Sequence, residues 1–120
     1  MREAHKFQQL TQAEVVLVHV TEPAFEGLRI QTGDLRREVK VSATKRLQAL
    51  VTGEFHASPH VSTLVKEGRA GDVICDLART LGVDAIFIAT HGITAMKHFM
   101  LGSVAEKVVR HAPCSVLVVR

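Results

Sequence analysis

The chain has 120 residues, a length that fits one domain, and its 47% hydrophobic and 22% charged composition describes a folded protein with a core rather than a disordered one. The formal net charge is +3, with Lys and Arg scattered and neither Trp nor Tyr present, so the basic face and stacking aromatics of a nucleic-acid binder are not expected. No apolar run nears the ~20 residues that span a bilayer. The N-terminus, Met1-Arg2-Glu3-Ala4-His5-Lys6, is polar and has no signal-like apolar region, so the expected location is the cytosol.

Ala4, Phe7 and Leu10 recur at helical spacing over residues 2–11 and predict the end of a helix. Val15-Val16-Leu17-Val18-His19-Val20 is a continuous run dominated by β-branched residues, which predicts a strand buried on both faces, as in parallel sheets. Residues 21–33 carry Pro23, Gly27 and Gly33 and read as a loop. Asp34 is a candidate cap for a long helix to about Val51, with Leu35, Val39, Ala43, Leu47 and Leu50 as its stripe and Gly53 as its stop.

A turn at residues 56–59 leads to a second strand at 61–65. Gly68 to Gly71 leads into a helix with Ile74, Leu77, Ala78 and Leu81 on one face and Gly82 as its end. A third strand is expected from Asp84 to Ala89. Another helix starts at Ser103 and is barred by Pro113, and a last strand runs from Cys114 to Val119. There is no linker, repeat or low-complexity segment, so one domain over residues 1–120 is expected.

Alternating strands and helices predict an α/β fold: an open, mostly parallel, twisted sheet with helices on both faces, in three layers. Such sheets bind ligands outside the carboxyl ends of their strands, here after Val20 and after Ala89. They also open on a strand rather than a half helix. The expectation is that about one strand and the start of its helix, roughly 20 residues, belong upstream of Met1.

Ala89-Thr90-His91-Gly92, then nine residues, then Gly102-Ser103 is a strand end, a glycine turn and a helix start. Backbone N–H groups can approach an anion across glycine, and a helix N-terminus adds unpaired donors and a favourable dipole. This is not the P-loop signature, which ends in Gly-Lys-Ser/Thr. Ser103 and Glu106 form Ser-x-x-Glu and predict a capping box, with Val104 and Ala105 offering further N–H groups to a phosphate. Gly92 and Gly102 also have purely structural readings, as a turn and as a tight helix entry. His91, beside the presumed phosphate, reads as a local hydrogen-bonding residue able to touch phosphate or ribose, and Lys97 and His98 lie in the intervening loop.

No nucleophile–base–orienter set, Gly-x-Ser-x-Gly elbow or HExxH is present, and the histidines show no metal-ligand spacing. Cys75 and Cys114 match no disulfide or zinc pattern and read as small buried apolar residues. No catalytic residue and no protein metal ligand set is therefore expected.

Three stretches resemble the universal stress protein family: Asp84-Ala85-Ile86-Phe87-Ile88-Ala89-Thr90-His91-Gly92, Leu101-Gly102-Ser103-Val104-Ala105-Glu106-Lys107-Val108, and His111-Ala112-Pro113-Cys114-Ser115-Val116-Leu117-Val118-Val119. Val18-His19-Val20 is similar to that family's second strand. The resemblance implies an adenine nucleotide alpha hydrolase-like fold of five strands in order 3-2-1-4-5, with homodimers formed through the last strand. It implies ATP, or ADP or AMP, as ligand; a Mg²⁺ ion bound with it would be held by the phosphates and one carboxylate, the obvious one belonging to the strand missing upstream.

The family's ATP motif, Gly-x-x-Gly, nine residues, Gly-Ser/Thr, is matched at Gly92, Gly102 and Ser103 and missed at Ala89. Val20 matches a residue lining the adenine, although as a strand residue it reads equally as core. The family's first strand, which ends in an aspartate near adenine and ribose, has no counterpart, and a truncated chain or misplaced start is the expected reason. The implied role is a cytosolic stress-response sensor or regulator. A ligand-free dimerisation module and a slow ATPase are the alternatives.

Overall fold

The computed structural model describes residues 1–22, 33–90 and 101–120. These residues form four helices and four strands in chain order, grouped into two compact units, Met1–Gly68 and Arg69–Arg120.

In the N-terminal unit, helix α1 (Arg2–Thr11) is followed by strand β1 (Val15–Thr21), helix α2 (Gly33–Gly53) and strand β2 (Val61–Glu67). β1 and β2 pair in parallel, with Val15 opposite Val61 and Thr21 opposite Glu67. A parallel pair needs a crossover between its strands, and α2, with 21 residues, lies in it. The core is Leu17, Leu47 and Phe55, with Ala4, Val15, Leu50, Val51, Val61 and Val65 packed around it.

Two expectations are corrected here. Val15–Val20 was expected to be covered on both faces, yet only Leu17 is buried, while Val18 and His19 are exposed. The composition of a strand reports what it can bury. What covers it depends on neighbours, and among the described residues β1 is bonded to β2 alone. On α1, Ala4 does meet the core, but Phe7 and Leu10 are exposed and Gln8 is the buried residue. Helical spacing therefore identified the helix and not its inward face. The same partial match holds on α2, where Ala43 and Leu47 are buried and Leu35 and Val39 are exposed.

The C-terminal unit contains helix α3 (Ala70–Leu81), strand β3 (Ala85–Ala89), helix α4 (Ser103–His111) and strand β4 (Ser115–Val119). β3 and β4 pair in parallel from Ala85 opposite Ser115 to Ala89 opposite Val119. α3 packs on α4 through Gly71, Cys75 and Ala78 on one side and Ala105 and Val108 on the other, all buried. Gly82 ends α3 as expected. Its φ of 62° lies in the left-handed region, its N–H donates to the Arg79 carbonyl at 3.3 Å, and the Val83 N–H donates to Ala78 at 3.2 Å. That two-bond closure satisfies the last carbonyls of the helix, and glycine adopts its backbone without a Cβ penalty. Of the two cysteines, Cys75 is buried, and burial pushes its thiol pKa up; Cys114 is only half-buried.

The α/β class and the parallel pairing match expectation. The two strand pairs are the neighbours that the order 3-2-1-4-5 demands of its strands 2 and 3 and of its strands 4 and 5.

Candidate functional site

The helix entry after β3 is built from local rules. The Thr90 N–H extends the β3–β4 ladder by donating to Val119 at 2.8 Å, and the Gly102 N–H donates to the Thr90 carbonyl at 2.8 Å. One residue thus fastens both the strand end and the start of α4. The chain leaves the carboxyl end of β3 and returns to the same point, where open parallel sheets place their ligands. Gly102 is the N-cap, with φ −59° and ψ 155°, and its carbonyl accepts the first helical bond, from the Glu106 N–H at 2.9 Å. The N–H groups of Ser103, Val104 and Ala105 precede that bond and have no partner within the helix. Together with the helix dipole, such N–H groups suit an oxyanion.

The expected capping box is not formed. Gly102, not Ser103, occupies the N-cap, and no side chain caps α4. Ser103 is the first helical residue, so Glu106 is one position out of phase for reaching back. It bonds instead to Arg110 one turn on, at 2.9 Å. The Ser103 side chain is exposed and takes no part in capping.

The replacement of the family glycine by Ala89 carries little conformational cost. Ala89 is not among the residues with positive φ, and it sits in regular parallel register with Val119. The backbone itself penalises a Cβ where φ is positive. Gly102, with its negative φ, likewise does not need glycine for its own backbone.

The C-terminal unit therefore brings Ala89, Gly102, Ser103, Val104 and Ala105 to one strand end. Val20 belongs to the N-terminal unit, half-buried in β1 opposite Lys66. His91, Gly92, Lys97 and His98 lie outside the described residues.

One turn into α4, Lys107 is drawn away from the helix entry. Its ammonium bonds the Asp72 carboxylate on α3 at 2.6 Å, and its stem lies over Gly71. That hydrogen bond is the main reason the Asp72 carboxyl is held below its ordinary pKa; desolvation opposes it, and the Lys107, Arg69 and His111 charges add to the lowering. Gly71 was expected to lie in the lead-in to α3 and proves to be inside it. No pattern in the sequence marks the Lys107–Asp72–Gly71 arrangement, because it exists only once α3 and α4 pack. Among the described residues no group of three or more His, Cys, Asp or Glu side chains is set to hold a metal. Open grooves run along α2, one of them lined by His19, Leu35, Val39 and Arg46.

Parallel strand pairs with crossover helices, and a glycine–serine helix entry at a strand's carboxyl end, define an α/β protein built on parallel strands. The sequence profile of the universal stress protein family matches residues 1–120, and the chain belongs to that family. Universal stress protein YxiE of Bacillus subtilis is 30% identical over 119 residues, covering 91% of this chain and 80% of YxiE. A Staphylococcus haemolyticus protein bearing the universal stress name, SH1215, is 59% identical over 44 residues, 37% of this chain; that match spans only 27% of SH1215.

Among solved structures, hypothetical protein MJ0577 superposes with a TM-score of 0.82 at 26% identity, covering 98% of this chain and 82% of its own. UspA of Lactobacillus plantarum gives a TM-score of 0.74 at 25% identity, covering 98% and 85%. These likenesses agree with the adenine nucleotide alpha hydrolase-like fold.

Proposed function

We propose that this stress-response domain binds ATP, or the related ADP or AMP, and serves as a cytosolic sensor or regulator. The observation that carries the reading is the entry to α4. Three N–H groups without a partner inside the helix lie at the end of β3, behind a glycine whose φ of −59° any residue could adopt. Since the backbone does not require glycine at Gly102, the absent side chain is best explained by close approach of a ligand. The β- and γ-phosphates would take the N–H groups of Ser103, Val104 and Ala105 and the Ser103 hydroxyl, and the family motif adds Gly92, with His91 beside it, to the contacts. Val20 would line the adenine, and a Mg²⁺ ion would ride on the phosphates with one carboxylate. With no nucleophile–base pair in the sequence, the nucleotide acts as a signal, and any hydrolysis is slow.

Calorimetric titration with ATP tests this. Saturable binding is expected in the parent. Gly102→Ala is expected to abolish or strongly weaken it with little change in melting temperature, since the alanine fits the backbone but fills the approach. Absence of binding at millimolar ATP overturns the reading, as does unaltered binding by Gly102→Ala.

The outer edge of β4 favours a second role alongside the first. This strand carries Val116, Leu117, Val118 and Val119, with Leu117 exposed, and exposed apolar edges pair with further strands. The proposed partner is a second copy of the chain, joined through this strand.

A further inference from the structure

We propose that the outer face of α2 is a docking surface for an acidic, amphipathic helix of a partner protein. The chain has 15 Lys and Arg against 12 Asp and Glu. Five of the former, Arg36, Arg37, Lys40, Lys45 and Arg46, and two of the latter, Asp34 and Glu38, belong to α2. That leaves ten of each sign elsewhere, so the whole +3 of the chain resides on this one helix. Basic residues are spread along the sequence, but their excess over acidic ones is not. Among the described residues Arg36 alone of the five forms an ion pair, with Glu67 at 3.4 Å; the other four cations are exposed.

The same helix exposes apolar surface. Its 21 residues run about 31 Å. The seven-residue strands it packs on run about 23 Å. Its buried anchors, Ala43 and Leu47, lie in the middle and second half, and every residue from Gly33 to Ser42 is exposed. Exposed apolar residues scattered singly need no explanation. Here Leu35, Val39 and Val41 fall within seven positions, interleaved with Arg36, Arg37 and Lys40. Two open grooves run either side of a ridge formed by Glu38 and Ser42, one turn apart. One holds Val41 between Arg37 and Lys45; the other holds Leu35, Val39 and Ala43, with Arg46 at its rim. Ridges of residues four apart, with grooves beside them, are how one helix receives another.

Charge decides the occupant. A second copy of α2 would set cations against cations. The α1 helix of a second copy, with Phe7 and Leu10 exposed, carries Arg2 and Lys6 against Glu3 alone. Like charges across an interface select against such pairings. An acidic helix supplies carboxylates to Arg37, Lys45 and Arg46, while its apolar stripe covers Leu35, Val39 and Val41. Glu38, on the ridge, separates this partner from a uniformly anionic one. Against a lipid headgroup layer or a phosphate backbone it would meet like charge, whereas a helix can set a small or basic residue opposite it.

The test uses the full-length, tag-free protein and a fluorescein-labelled synthetic helix of three heptads. The peptide carries leucine at a and d, glutamate at e and g, and alanine or glutamine elsewhere. Fluorescence anisotropy is expected to show saturable binding that weakens as NaCl rises. A twin peptide with lysine in place of each glutamate is expected not to bind. Arg37→Glu and Lys45→Glu are each expected to weaken binding roughly fivefold or more, and Val41→Ser by a similar factor. Arg2→Glu, the same reversal on α1, is expected to change it by less than about twofold. All four positions are exposed, so every variant is expected to melt like the parent. In NMR spectra of the parent, peptide addition is expected to shift amides over residues 35–46. Absence of saturable binding, equal binding of the lysine twin, reversals on α2 no more harmful than the one on α1, or shifts confined to other elements overturns the proposal. Tighter binding of the same face to phosphatidylglycerol vesicles or duplex DNA also overturns it, and assigns the face to lipid or nucleic acid.

Discussion

Gly71 lies beneath the stem of Lys107. A Cβ built on it would stand 2.8 Å from the lysine Cδ and 3.1 Å from its Cβ and Cγ. The Cδ can swing away, but the lysine Cβ is fixed to α4, so the contact cannot be fully relieved. Helix propensity pulls the other way, favouring alanine over glycine by up to about 1 kcal/mol. The two effects separate by background. Gly71→Ala is expected to destabilise the parent by about 1–2 kcal/mol through overpacking. In a Lys107→Ala background the same substitution is expected to be neutral or mildly stabilising. Urea denaturation of the four proteins measures the coupling, and equal effects in both backgrounds would remove the lysine stem as the cause. None of this was legible in the sequence, where Gly71 reads as the approach to a helix. Ser103 shows the related limit, since Ser-x-x-Glu has the right spacing for a capping box but sits one residue too late.

At the level of elements, α3 and α4 are joined at one end by the Asp72–Lys107 pair. At the other, the Arg79 guanidinium donates to the His111 carbonyl at 3.2 Å. The Asp72 carboxyl is held below its ordinary value, chiefly by the Lys107 hydrogen bond. A group whose folded pKa is lowered stabilises the fold above its unfolded pKa, and that contribution disappears as pH falls through the folded value. The expected result is a constant gap in melting temperature between parent and Asp72→Asn near neutral pH. The gap should close below the usual carboxylate range. Both partners are substantially exposed, so the gap should be small and shrink in high salt. A gap that persisted in acid would assign the effect to something other than charge. The elements themselves were readable from sequence because strands announce themselves by β-branched runs and helices by stripes and glycine stops. Their covered faces were not, as exposed Phe7 and Leu10 and buried Gln8 show.

For the whole molecule, two parallel pairs and a family profile over residues 1–120 define the fold, while β4 carries the proposed pairing with a second copy. Leu117 is 48% exposed on that strand. Light scattering at micromolar concentration is expected to give a dimer, and Leu117→Asp a monomer, because a buried unpaired charge is not tolerated in an apolar interface. A monomeric parent would count against pairing through β4. The candidate nucleotide site was legible in sequence because a strand end, a glycine and a helix start are local signals. The ring contact between His5 and His56, 5.2 Å between centres, was not, because its members are brought together by α1 and a turn at the far end of α2.

The parallel registers also have a kinetic consequence. A hairpin can zip from its turn, but each pair here must close a loop that contains an entire helix. The C-terminal pair closes the shorter span, Ala85 to Ser115, around the nine-residue α4; the N-terminal pair closes Val15 to Val61 around the 21-residue α2. The difference in closure entropy is about 0.4 kcal/mol, a head start of roughly twofold for β3 and β4. So slight a lead sets no strict sequence of events. Refolding should show helical signal rising first and both sheets gaining amide protection later, within a factor of a few of each other.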